Sequence, residues 1–253
     1  MLSMVIALVV GASTFGLGVV GHYLQRFLPA RHMSSGSREI IGAVIGLVSL
    51  LLALVLGTLV GSAYATYATQ RTNIETLCAR ALDLDLAFRE FGAEAKPLRD
   101  ALMSSMQDAY EAIWVRGGSY GQQFDPSLYM KRFENWNEMV AALSVQTPAQ
   151  TRLVGAIAAD SASFQQTRIL TSLELAGSIS WPLITVVASW GMLLFFGYGV
   201  LFGVNGTSAA ALALGSFAIA SAIFLILQLS QPYSGVFRVP SGSMERTLAA
   251  LNS

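Results

Sequence analysis

The chain has 253 residues, 54% hydrophobic and only 12% charged, and its 15 basic and 15 acidic side chains cancel to a formal net charge of zero. That composition lies outside the soluble range and inside the range of multi-pass membrane proteins, and it leaves no basic field to attract nucleic acid or an anionic lipid surface. The lone Cys78 excludes an internal disulfide and a zinc cluster.

The first apolar stretch runs from about Leu2 to Leu28. No basic segment precedes it, and it exceeds the apolar run of about 7–15 residues found in cleavable signals, so it reads as a retained membrane helix. His22 and Arg26 sit one turn apart near its end, where arginine ordinarily reaches out to the headgroups and where an ionisable pair inside the bilayer is the functional alternative. A connection from Pro29 to Glu39, carrying Arg31, His32 and Arg38, leads to the second stretch, Ile40 to Ala65. Both stretches meet the requirement of roughly 20 apolar residues for crossing a hydrocarbon core of about 30 Å.

The second stretch carries two patterns. Gly42, Gly46, Gly57 and Gly61, followed by Ala65, recur at the one-turn spacing that lets helix backbones approach, either within one bundle or between subunits. Thr58, Ser62, Thr66, Thr69, Asn73 and Thr76 recur about every 3.5 residues and form a polar line running from mid-membrane onward.

From Ile74 the apolar positions Ile74, Leu77, Ala81, Leu84, Phe88 and Phe91 alternate by three and four, the spacing of a seam packed by other helices. No Pro or Gly interrupts Ser62 to Phe91, which predicts one long rod ending at Gly92. A helix starting near Pro97 turns Leu98, Leu102, Met106, Tyr110 and Ile113 inward and stops at Gly117 and Gly118. Asp125 and Pro126 start another, with Leu128, Phe133, Trp136, Val140 and Leu143 on its apolar face. Thr147, Pro148 and Gln150 form a capping-box pattern for a further helix carrying Leu153, Ile157 and Phe164, which leads through Leu170 toward the third apolar stretch.

That third stretch spans Ile179 to Leu201, with Trp181 and Tyr198 suited to interfacial positions, and the fourth spans Ser208 to Leu229. Between them Asn205-Gly206-Thr207 matches a glycosylation sequon but reads as a hairpin turn. In the fourth stretch Ala211, Gly215, Ala218 and Ala222 share one stripe, and the Gln228 amide near its end is suited to bonding across a helix interface. Pro232-Tyr233-Ser234-Gly235 reads as a turn, after which Val236 to Leu251 packs on the helical unit or on a neighbouring subunit.

The predicted fold class is an all-α membrane protein: four transmembrane helices with a helical cytoplasmic insertion between the second and third. Residues 1–65 hold the first two membrane helices, 66–178 the insertion, 179–229 the last two and 230–253 the tail. Counting arginines near the membrane places the insertion and both termini in the cytoplasm, with Arg71, Arg80, Arg168, Arg238 and Arg246 on that side against Arg26, Arg31 and Arg38 on the other.

The text of the sequence adds a resemblance. The stretch Leu82-Asp83-Leu84-Asp85-Leu86-Ala87-Phe88-Arg89-Glu90-Phe91-Gly92, followed by Arg99, Leu102 and Ile113-Trp114, resembles the bestrophin-like family of bacterial multi-pass membrane proteins. The run Ala222 to Leu229, then Pro232-Tyr233-Ser234-Gly235 and Arg238-Val239, is similar to that family's closing segment, so the resemblance covers about Gly42 to Leu251. Members commonly carry acidic residues at the end of the last membrane helix, whereas this chain has Gln228 and Ser230. Kinship with bestrophins implies their architecture, a homo-oligomeric anion channel with four membrane helices per subunit, more than it implies an activity.

The expected function is an oligomeric channel or pore in the bacterial inner membrane, passing an inorganic anion or small polar solute along Thr58, Ser62, Thr66, Thr69 and Asn73, with Leu56 or Val60 narrowing its apolar part. Against this stands ordinary bonding of membrane Ser and Thr hydroxyls to their own helix carbonyls. The alternative function is a non-conducting scaffold or sensor whose cytoplasmic helices bind a protein partner. No cofactor or metal pattern is present in the sequence, and no nucleophile has a base near it, so an enzyme is not expected.

Overall fold

In the computed structural model the described residues are 2–27, 35–116, 126–175, 181–202, 205–231, 233 and 235–253, and all the regular structure among them is helical. The helices are α1 Leu2–Gln25, α2 Ser35–Phe91, α3 Lys96–Tyr110, α4 Pro126–Ala141, α5 Pro148–Leu175, α6 Trp181–Leu201, α7 Gly206–Leu229 and α8 Gly242–Leu251. Four of them, α1, α2, α6 and α7, are long and apolar enough to cross a membrane. The chain divides into two compact units, one of residues 1–66 and 179–231, the other of residues 67–178 and 232–253. The C-terminal tail thus belongs to the same unit as the insertion.

In the first unit, α1 presents Ser3, Ala7, Val10, Thr14, Gly18 and Gly21 as its buried face, a stripe of mostly small side chains at three- and four-residue intervals. Lipid tails are as apolar as leucine, so helices in a bilayer associate by close backbone contact, which small residues permit. A Cβ on Gly199 of α6 would lie 2.0 Å from the Gly18 carbonyl oxygen, and one on Gly21 would lie 2.3 Å from the Phe196 carbonyl oxygen. On the α7 side, a Cβ on Gly11 would stand 3.0 Å from the Ala220 Cβ. Thr14 is fully buried there with its hydroxyl donated to the Val10 carbonyl at 2.7 Å, which meets its hydrogen-bonding need without water. The core of this unit also includes Ile45 and Leu52 of α2, with Val48, Val55, Leu56 and Leu59 packed at its edge. Tyr198 and Ser49 share a hydrogen bond at 3.2 Å, so this tyrosine is engaged in packing α6 against α2.

α7 begins on a capping box. The Asn205 side chain accepts from the Ser208 backbone N–H at 2.8 Å, and the Ser208 hydroxyl accepts from the Asn205 N–H at 2.8 Å. Asn205 is therefore a helix cap where the sequence reads as a turn, and its two bonds satisfy amides that an apolar surrounding would leave unpaired. Asn205→Ala is expected to cost about 1 kcal/mol, read as a lower thermal midpoint of the detergent-solubilised chain.

In the second unit the rod behaves as its sequence predicts. α2 is one helix of 57 residues ending at Phe91, and at 1.5 Å per residue it extends about 85 Å. Gly92 terminates it with φ +105°, a conformation that side-chain-bearing residues avoid. Ile74, Leu77, Ala81, Leu84, Phe88 and Phe91 are all buried and pack with Leu98, Leu102, Met106, Ile113, Trp136, Val140, Ile157 and Phe164 in a single core. Trp136 lies between Phe164 and Phe88, with ring centroids 6.2 and 6.1 Å away. α5 starts on the expected capping box: the Thr147 N–H donates to the Gln150 side-chain oxygen at 3.1 Å and the Gln150 N–H to the Thr147 hydroxyl at 3.2 Å. The glycine stop after Val115, the Asp125 start signal and the passage from α5 to α6 lie outside the described residues.

Two features of this unit escape periodicity. Glu111–Val115 continues α3 as one wider turn, closed by the Arg116 N–H donating to the Glu111 carbonyl at 2.8 Å. The tail folds back as α8, burying Met244, Thr247 and Leu251.

Candidate functional site

The face of α2 that the sequence singles out is exposed from Thr58 to Thr69 and half-buried beyond it. In the first unit Ile45 and Leu52 point inward, and Thr58, Ser62 and Thr66 are exposed. In the second unit Thr69 is exposed, and Asn73 and Thr76 are half-buried. Leu56 and Val60 do not share that face. Each is two residues, about 200° of helix rotation, from Thr58, and Leu56 packs against the core of the first unit while Val60 is half-buried.

The glycine pattern divides in the same way. A Cβ on Gly42, Gly46, Gly57 or Gly61 would find nothing among the other described residues within 4 Å, and Ala65 is exposed. Among the described residues, nothing stands against the open side of these glycines. The glycines in close contact are instead on α1, α6 and α7, where Gly215 also lies under the Phe195 ring, its Cβ position 2.7 Å from the ring's Cζ. Only 11% of the most apolar 18-residue window of α2 is buried by the chain, against 28% for α1, 39% for α6 and 28% for α7.

Two hydroxyls on the exposed face, those of Thr58 and Thr66, have local partners. Thr58 donates to the Val55 carbonyl at 2.9 Å and Thr66 to the Ser62 carbonyl at 3.1 Å. With those hydrogens spent, the lone pairs of each oxygen are what the face offers outward. Arg26, by contrast, stands exposed with its guanidinium 5.6 Å from the Tyr23 ring centre, a geometry suited to anchoring at headgroups. Gln228 is buried within α7.

A polar node in the second unit was invisible to motif reading. Asp85 is buried and accepts from Arg89 Nε and Arg99 Nε, both at 2.6 Å. The same two guanidiniums reach the end of α8, Arg89 donating to the Ala250 carbonyl at 3.2 Å and Arg99 to the Leu251 carbonyl at 3.3 Å. Cations there meet carbonyls of the last helical turn and the negative end of the helix dipole. A second clamp holds the tail: Trp114 Nε1 donates to the Val239 carbonyl at 3.0 Å, and Arg238 donates to the Trp114 carbonyl at 3.1 Å. The Tyr110 hydroxyl donates to Glu245 at 3.2 Å, and that hydrogen bond to a carboxylate raises the phenol above its usual pKa. Asp85, Arg89, Arg99 and Trp114 all fall within the stretch that carries the family resemblance, and the bond network supplies a reason for those residue types. No group of three His, Cys, Asp or Glu side chains suited to a metal occurs among the described residues.

No curated protein matches the chain, and neither does any solved structure. The family model of the bestrophin-like domain matches residues 12–244, from the first apolar helix through the start of α8. The chain belongs to the bestrophin-like family.

Proposed function

We propose that this protein is one subunit of an oligomeric membrane pore in which α2 faces the axis and Thr58, Ser62, Thr66, Thr69 and Asn73 line the path. The observation that carries the reading is the uncovered state of α2: it is the least buried of the four candidate spans, and its glycines stand open. Open glycines at one-turn spacing suit the approach of a second helix backbone, and a neighbouring subunit supplies one. Exposed hydroxyls on another face of the same helix give a path polar groups where lipid offers none. Family membership supports a channel-like protein.

Of the two solute classes expected, the hydroxyl geometry favours a small polar solute. An anion needs donors, and the Thr58 and Thr66 hydrogens must leave the Val55 and Ser62 carbonyls to serve it. A solute bearing its own N–H or O–H groups meets the outward lone pairs directly. The arginine count favours the second unit in the cytoplasm, and the family resemblance favours the inner membrane of a bacterium.

Purified full-length protein in liposomes is expected to release a small polar solute faster than empty vesicles do. Ser62→Leu with Thr66→Leu is expected to reduce that flux at least tenfold without altering helical content. Absence of flux of any ion or solute, across several voltages and pH values, contradicts the proposal.

The second reading, a non-conducting scaffold whose soluble helices hold a protein partner, is favoured by one observation. Hydroxyls already bonded to their own carbonyls need no aqueous path and tolerate lipid. Cysteines placed at 58, 62, 66 and 69 separate the two: labelling from water with helical period supports the pore, and uniform protection supports the scaffold.

A further inference from the structure

A crevice of about 340 Å³ lies within the first unit, between the last turns of α6 and the first turns of α7. One wall is aromatic. Phe195, Tyr198 and Phe202 line it at three- and four-residue intervals, with Phe195 edge-on to Tyr198 at 6.5 Å and Tyr198 stacked on Phe202 at 6.2 Å. The facing wall holds Ala211, Leu212 and Gly215. Because Ala211 and Gly215 are small, no side chain of α7 reaches across to fill the space beside the rings.

We infer that this crevice holds one lipid acyl chain. Among the described residues of its lining, the side-chain hydroxyls are already partnered, Tyr198 with Ser49 and Ser208 with Asn205. A polar ligand would find no side-chain donor left to recognise it on the described lining, and only the few lone pairs of two hydroxyls, whereas a hydrocarbon chain needs neither. The crevice opens at its Phe202 edge, which is 58% exposed, between two helices apolar enough to span a membrane, so hydrocarbon is the medium that reaches it. Its volume suits the occupant. Taking roughly 30 Å³ for a group the size of a water molecule, and a methylene as similar, it accommodates on the order of ten methylenes. An unfilled space of that size forfeits the dispersion contacts of three aromatic rings, which an acyl chain restores.

The test is photolabelling of the full-length protein in nanodiscs built from a phospholipid with a diazirine along its acyl chain, followed by mapping of the labelled residues. Labelling at Phe195, Tyr198, Phe202 and Leu212 is expected to exceed that at the exposed Leu8 of α1 and Leu193 of α6 at least fivefold, and Ala211→Trp, which fills the space, is expected to abolish that excess. Equal labelling of the crevice and the outer faces overturns the inference. So does a crevice left unlabelled because a second copy of the chain occupies it, or an excess that persists in a folded Ala211→Trp variant. If that variant does not fold, the wild-type map alone decides.

Discussion

Alanine at Gly199 will drive α1 and α6 apart and cost about 3 kcal/mol or more, at or beyond the upper end of what overpacking usually costs. The added Cβ would stand 2.0 Å from the Gly18 carbonyl oxygen, 2.9 Å from its carbonyl carbon and 3.0 Å from the His22 nitrogen. All three are backbone atoms of one helix, so no rotamer change relieves the overlap and the helix must move. Separation then removes the close contact that holds α1 on α6, with little hydrophobic gain to offset it in lipid. The measurement is the unfolding midpoint in detergent, compared with Gly46→Ala. Gly46 has open space around it and lies inside a helix, so its alanine variant is expected to be neutral or more stable by up to about 1 kcal/mol in the isolated chain. Comparable losses in both variants contradict the packing described for this unit.

Asp85→Ala will destabilise the second unit by about 2–3 kcal/mol and release its C-terminal helix. Removing one partner of a buried pair typically costs about 3–5 kcal/mol, and the lower figure here reflects the exposure of Arg89 and Arg99, whose side chains remain 37% and 31% accessible and regain some hydration. Both arginines also bond the last carbonyls of α8, so loss of Asp85 frees them from the geometry that caps that helix. Limited proteolysis is expected to cut within residues 242–253 of the variant well before it cuts the wild type. Asp83→Asn, two residues away and exposed, is expected to change stability by less than about 0.5 kcal/mol. A stable Asp85→Ala variant with a protected tail would show that the node is peripheral to the fold.

Local order was legible in the sequence wherever a repeat or a cap encoded it. The three-four alternation from Ile74 to Phe91, the stop at Gly92 and the Thr147–Gln150 box each depend on neighbours within a few residues, and each is in the structure. Partner choice was not legible. Gly42 and Gly46 have the same spacing logic as Gly18 and Gly21, yet one pair stands open and the other touches backbone, because contact depends on which helix arrives opposite. The Asp85 node escaped for a related reason: Arg99 lies beyond the Gly92 turn, and Ala250 and Leu251 lie far along the chain. For the candidate site, the polar line and the glycine stripe were readable as patterns. That Leu56 turns into the core and away from Thr58 follows from helix geometry once the buried face is known.

In the proposed assembly the open side of α2 meets its counterparts around a common axis. Single-particle imaging of the protein in lipid nanodiscs shows whether it does. The predicted result is a closed ring with α2 innermost, Thr58 and Ser62 toward the axis and Gly42 and Gly46 against a neighbouring subunit. A monomer, or a ring in which α2 lies outermost against lipid, would contradict the account.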